Sequence, residues 1–338
     1  MKRTSFFLLV GILIFSHFSQ AFLVEENSNL VNDTTVNFVP SYFFKPDPTG
    51  KYISYTSTKD ALFISNLESK KQVQVFGSFD PIFFPLPHQK NQLIATSENG
   101  ISFFNFKNVQ ESEIDTKKIY NFTNPGIYQS IGILEKKSEK AFRFRMIYQV
   151  DYQDTTNNFN YDDFDYKMVN SKETITRVTS ESKPVCKNYY ISMAMISKNG
   201  KEVVAYNLVN KKSQVFEIGA DNNCTIKEDL GLIAGKAAFS YDNQFIAYHS
   251  LSEFVYDKSG YVNIPGSEVV GNIFIYSRKT KKHYPLTKFS VGTAMYPEFL
   301  ENGDVIFVYY DSSKGGNTEA RFIRVKPNLP EKTVGKQK

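Results

Sequence analysis

The feature that most constrains this 338-residue chain is a recurrent pattern, clearest from Ala237 to Thr287. There AAFSYDNQFIAYHS leads through a long polar insertion to GNIFIYSRKTKKHYPLT. The stretch reads as a short strand, a turn, a second apolar strand, an excursion, and then a third and fourth strand joined by a turn. Weaker copies recur along the chain. Their first turns fall at Gly50, Lys90, Lys140, Gly200, Asn243 and Gly303, about 40 to 60 residues apart, close to the spacing of propeller blades. Each turn is followed by a dense apolar strand: YISY, LIAT, FRFRMIY, VVAY, FIAY and VIFVYY. A strand with one wet face alternates, whereas a strand covered on both faces need not. Blades packed around an axis provide that cover better than a simple sandwich. The 30 Phe and 21 Tyr suit pleated, half-buried surfaces, and no stretch keeps a helical period. The expectation is an all-β chain, a six-bladed β-propeller in one domain over 22–326, followed by a disordered basic tail at 327–338.

The last unit has only three strands before the prolines. Its fourth is expected from the N-terminal arm, within Glu25 to Asn37. That strand would close the ring, which otherwise exposes apolar faces and strand edges. Before it, Lys2 and Arg3, the apolar run Phe6 to Phe18, and Ser19-Gln20-Ala21 have the layout of a cleaved export signal. The run is short for a membrane span. Residues 1–21 are therefore read as a signal peptide, with the mature chain periplasmic or secreted and without a transmembrane span. In such a compartment Cys186 and Cys224, the two cysteines of the chain, suggest one disulfide. The alternative is a pair of separate buried thiols.

AAFSYDNQFIAYHS with GNIFIYSRKTKKHYPLT, and AMYPEFLENGDVIFVYYDSS with EARFIRV, resemble the TolB-like β-propeller repeat. KPDPTGKYISYTS and MISKNGKEVVAYNL resemble its first half, while the second and third units lack the turn glycine. The resemblance implies architecture and export, in an interaction scaffold or in the propeller part of a larger enzyme. It implies no catalytic residue, and the catalytic domain of such enzymes has no counterpart here. It also points to a bacterial host, in which the sequons at Asn32, Asn121 and Asn223 would stay bare.

Catalytic patterns are missing: there is no Gly-x-Ser-x-Gly elbow and no His-Glu-x-x-His. His88, His249 and His283 fall on an inner turn, the end of a second strand and an outer strand, and are not expected to converge. A formal charge of +5, evenly spread, is too small to argue for nucleic acid. The most unusual stretch runs from Asp151 to Tyr166 and carries Asp151, Tyr152, Asp154, Tyr161, Asp162, Asp163 and Asp165. It reads as a loop joining the second and third strands of the third unit. Asp162, Asp163 and Asp165 are hard oxygen ligands at close spacing, candidates for Ca²⁺; the other reading is a hydrated acidic loop. Leu251 to Val270, with Phe254, Tyr256 and Tyr261, and the stretch from Asp311 to Asn317 hold the same place in the fifth and sixth units. In a propeller these connections emerge together around one mouth of the channel. The expected function is a binding module that meets an envelope or extracellular protein, or a glycan, through this face. Two alternatives use the same face: a metal- or carboxylate-dependent enzyme, and a carbohydrate-binding propeller.

Overall fold

The computed structural model describes residues 28–36, 40–57, 62–75, 79–83, 92–97, 100–108, 113–120, 127–149, 159–170, 172–251, 255–256, 262–263, 271–290, 292–311 and 319–329. The expected signal peptide lies outside them. Every element among them is a strand. After β1 (Ser28–Val36), strands β2 to β5 (Pro40–Pro46, Tyr52–Ser57, Leu62–Asn66, Gln72–Val75) form an antiparallel four-stranded sheet in chain order. Strands β6 to β9 (Phe79–Phe83, Gln92–Ser97, Gly100–Asn108, Glu113–Tyr120) form a second. The third contains β10 to β13 (Ile127–Ser138, Ala141–Gln149, Phe159–Val169, Lys172–Arg177), with β14 (Lys183–Pro184) added to β12. The fourth contains β15 to β18 (Ile191–Ile196, Glu202–Asn207, Lys212–Ile218, Cys224–Asp229).

Eight of the remaining strands share one larger sheet made of two antiparallel groups. One group is β19 (Gly235–Phe239), β20 (Phe245–Leu251), β23 (Gly271–Ser277) and β24 (Lys282–Pro285). The other is β25 (Thr293–Phe299), β26 (Val305–Asp311), β27 (Glu319–Pro327) and, from the far end of the chain, β1. A parallel pairing, Gly271 with Thr293, joins the two groups. Inside the excursion between β20 and β23, β21 (Val255–Tyr256) pairs with β22 (Val262–Asn263). The N-terminal segment thus runs antiparallel to the last strand, from Ser28 opposite Pro327 to Val36 opposite Ala320.

Several strands are apolar on both sides because their sheets are covered on both faces. Side chains alternate across a strand, and the alternate sets of one strand enter different cores. In β26, Val305, Phe307 and Tyr309 pack with β20 and β23, while Ile306 and Val308 pack with Phe44, Ile53 and Tyr55 of the first sheet. In β20, Phe245 and Ala247 face the last group and Ile246 and Tyr248 face the fourth sheet. In β16, Val203 and Ala205 meet Ile147, Phe159 and Tyr161 of the third sheet, and Val204 meets the fifth group. The last group therefore rests on the first sheet, although nearly the whole chain separates them.

The first turns repeat closely. In Asp47–Gly50, Ser197–Gly200, Ser240–Asn243 and Leu300–Gly303 the fourth residue donates its N–H to the carbonyl of the first, at 2.9–3.0 Å. That fourth residue has positive φ in each: 72° at Gly50 and Gly200, 56° at Asn243 and 83° at Gly303. Glycine and, less easily, asparagine accept this conformation. At Gly50 a Cβ would also lie 2.4 Å from the Leu300 side chain, so the first and last units are packed turn against turn.

One expectation needs correction. The third strand of the third unit starts at Phe159, inside the stretch read as a loop, because Asp163 is paired with Arg145 on β11 and Asp162 with Arg177 on β13. At the C-terminal end β27 continues through Pro327, and Leu329 is buried in the core between the last two groups, while residues 330–338 of the expected tail lie outside the described residues.

Candidate functional site

Of the face expected to carry function, Asp151, Tyr152, Asp154, Phe254 and Tyr261 lie outside the described residues. Tyr256 is on β21, and Asp311 ends β26. Tyr161, Asp162, Asp163 and Asp165 belong to β12 and are not on a loop. The strand sends Asp163 and Asp165 to one side and Asp162 to the other. Opposite them in register stand Arg145 and Arg143. Arg145 grips both oxygens of Asp163 at 2.7 and 2.9 Å, and Arg143 grips both of Asp165 at 2.8 and 3.1 Å. The Arg143 guanidinium holds the Asp165 carboxyl below its usual value. Asp162 is fully buried and accepts from Arg177, Thr179 and Ser182.

These pairings weigh against the calcium reading. A carboxylate held in a guanidinium fork has its charge matched and half of its lone pairs in use, so it gains less from a cation. Among the described residues no three carboxylate, histidine or cysteine groups gather at metal-binding distance. Tyr161 is likewise buried. Its hydroxyl bonds Asn222 Oδ1 at 2.5 Å, and the Arg145 guanidinium stacks 3.9 Å from its ring centre.

His88 lies outside the described residues. His283 is held by its hydrogen bonds: its Nε2 donates to the Leu230 carbonyl at 3.1 Å, and the Tyr248 hydroxyl donates to its Nδ1 at 2.8 Å. His249 is buried against Gly235 and Tyr296. Cys186 and Cys224 form a disulfide that ties the connection between the third and fourth sheets to the outer strand β18. The bond suggests an oxidising compartment.

Two places among the described residues bear on function. The first is at the end of the fourth sheet that carries the link between its second and third strands. Tyr190, 54% exposed, enters β15 there, and Val209, 73% exposed, lies on the β16–β17 turn. The Leu208 N–H donates to the Tyr190 carbonyl at 2.9 Å, so the two exposed side chains belong to one local surface.

The second is a pocket between first strands of different sheets, lined by Lys45, Ser130, Met195, Lys198, Tyr241 and Glu298, among others. Lys45, Met195, Ala238 and Glu298 are equivalent in the repeat, each two residues before a first turn. Lys198 and Tyr241 are equivalent too, as second residues of their turns. Lys45 donates a close hydrogen bond to Glu298 Oε1. Lys198 Nζ stands 3.9 Å from Glu298 Oε2 and 5.2 Å from the centre of the Tyr241 ring. Burial pulls Lys198 below its ordinary pKa. Burial alone would raise Glu298, but the two ammonium groups outweigh it and hold the carboxyl below its usual value. Desolvation raises the Tyr241 phenol.

These residues were not singled out in the sequence. Their only signal is a charged residue at an otherwise apolar repeat position, and it becomes visible only when the turns are aligned. Each first strand also carries a register shift: at Pro40/Phe44, Phe79/Ile82, Tyr128/Ser130, Ser192/Met195, Gly235/Ala238 and Met295/Glu298. In three of these bulges the residue at positive φ is Met193, Lys236 or Tyr296. A side chain at positive φ is strained, and such bulges re-aim neighbouring side chains.

No protein-family model and no curated protein matches this sequence. Solved structures do. An oligogalacturonate lyase from Vibrio parahaemolyticus matches with a TM-score of 0.50 and 11% identity, over 89% of this chain and 99% of that one. TolB from Acinetobacter baumannii matches with a TM-score of 0.42 and 14% identity, over 76% of this chain and 56% of that one. An oligogalacturonate lyase in complex with manganese gives a TM-score of 0.47 and 8% identity, over 90% and 99%. The chain is all-β, and its structural neighbours are β-propellers. At these identities the likeness is one of fold. Membership of the TolB-like family does not follow from it.

Proposed function

We propose that this protein is an exported six-bladed β-propeller that serves as a binding module. In this reading the six four-stranded groups are the blades, and β1 closes the ring on the last of them. The contact of the last group with the first sheet, through Phe44, Tyr55, Ile306 and Phe322, supports closure. The disulfide supports an exported chain.

The working face is the end where second and third strands are linked. One observation carries this choice. Tyr190 and Val209 are both exposed at that end of the fourth sheet, and tyrosine is favoured at recognition surfaces because it offers area and a polar tip at low entropy cost. In this reading the links expected to carry Asp151, Tyr152, Asp154, Phe254, Tyr256, Tyr261 and Asp311 belong to the same face. The partner class is an envelope or extracellular protein or a glycan.

The experiment compares the secreted or periplasmic chain with a Tyr190→Ser, Val209→Ser variant. Both are used to capture partners from an envelope extract and to probe a glycan array. Loss of one specific partner in the variant, at unchanged melting temperature, is the expected result. Equal capture by both chains would remove this face from consideration. Turnover of a captured glycan, with a bound metal found by elemental analysis, would favour the enzyme reading instead.

A further inference from the structure

The pocket between the first strands holds two ammonium groups and one carboxylate from Lys45, Lys198 and Glu298. Glu298 is committed to Lys45, which donates to its Oε1. Lys198 Nζ, at 3.9 Å from Oε2, is beyond the roughly 2.7–3.2 Å of an N–H···O bond. It feels the charge of Glu298 without spending an N–H donor on it. Other carboxylates at this end are engaged or exposed. Asp47 accepts from the Tyr52 amide at 2.8 Å and from the Thr49 amide and hydroxyl at 3.2 and 2.6 Å. Glu301 is exposed on its turn.

Among the described residues the pocket therefore carries one more cation than anion. Much of its remaining wall is apolar: Pro46, Ile131, Met195, Ile196, Phe239 and Phe299. A charge held against such a wall costs several kcal/mol unless an opposite charge approaches it. A second donor is present. Ser130 Oγ accepts the Ile196 amide at 3.0 Å, which leaves its O–H to donate. The cavity measures about 40 Å³, room for a group of few heavy atoms.

We infer that this pocket binds a small carboxylate, gripped by the Lys198 ammonium and the Ser130 hydroxyl, with its apolar end against Met195, Phe239 and Phe299. The site is separate from the loop-bearing face and does not depend on how that face is used.

Acetate is the probe, read by saturation transfer from the full chain to the acetate methyl protons in NMR. Saturable transfer is expected. Lys198→Gln should weaken it about tenfold or more, as loss of a charged hydrogen bond does, while Lys198→Arg keeps it. Glu298→Gln should strengthen it several-fold, because it removes the negative charge that repels a bound carboxylate and offsets the Lys45 ammonium. A general loss of fold would not produce these opposite signs, and near-UV circular dichroism checks the fold of each variant. If Lys198→Gln does not fold, the Glu298→Gln gain and the Lys198→Arg retention decide. Absence of saturable transfer to both wild type and Glu298→Gln overturns the inference. So does binding that Lys198→Gln leaves unchanged.

Discussion

Asp162 shows how a residue's neighbours decide its role. By composition it is one of five aspartates in a polar stretch, and a ligand set or a wet loop is the natural reading. In the fold it is buried with Arg177, Thr179 and Ser182 around it. Asp162→Asn should cost about 3 kcal/mol in urea unfolding, since it leaves Arg177 without its counter-charge. The partly exposed Asp165→Asn should cost about 1 kcal/mol or less. Calcium titrations should be identical in wild type and in both variants; a difference would restore the metal reading. His249 carries a pH dependence of its own. Burial lowers its imidazole from 6.5 to about 3, with the Lys236 charge adding to the effect. Between those values the unfolded chain holds the proton and the folded chain does not. Stability is therefore full above about pH 6.5 and falls by about 1.4 kcal/mol per pH unit as pH drops towards 3. His249→Gln should flatten that slope; equal slopes in the two proteins would show that other groups set it. Gly235 presses on the same ring: a Cβ there would sit 2.3 Å from His249 Nε2. Gly235→Ala should destabilise by about 1–3 kcal/mol through that overlap.

At the scale of elements, strand positions and turns were legible because they depend on local chemistry. Gly50, Gly200, Asn243 and Gly303 mark turns through their tolerance of positive φ, and the apolar runs after them became β3, β16, β20 and β26. The start of β12 was not legible, because the partners that make an acidic strand acceptable lie on another strand, at Arg143 and Arg145. The first-strand bulges were also hidden, since Met193, Lys236 and Tyr296 are not residues that signal positive φ. The end strand β1 yields a direct test. Its partner β27 supplies Phe322, Ile323 and Val325 to two cores. Removing residues 28–36 opens that edge and should lower the melting temperature by about 10 °C or more. Unchanged melting would mean that β1 adds nothing to the fold. The Cys186–Cys224 bond closes a 38-residue separation, and on the chain-entropy model its loss should cost about 3–4 kcal/mol. Comparing the Cys186→Ser, Cys224→Ser double variant with wild type by urea unfolding measures it.

At the scale of the molecule, charged side chains join neighbouring sheets. Arg278, on the β23–β24 turn, reaches Glu202 at the start of β16 and Glu228 on β18, at 2.7–2.9 Å. It also donates to the Asn243 carbonyl at 2.9 Å. One side chain thus pins two neighbouring sheets. Arg278→Ala should cost about 2–4 kcal/mol and leave two partly buried carboxylates to find water. A loss below about 0.5 kcal/mol would mark the cluster as a mere surface pairing. By itself the sequence determined the class of fold, the repeat and most of its turns. Backbone propensity, side-chain alternation and turn stereochemistry act between residues close together in the chain. Which charged residues meet was decided only by the tertiary structure. Lys45 and Glu298 stand 253 positions apart and become neighbours because the last group packs on the first sheet. No local pattern encodes that distance; it follows from how many units stack and how they turn about one another.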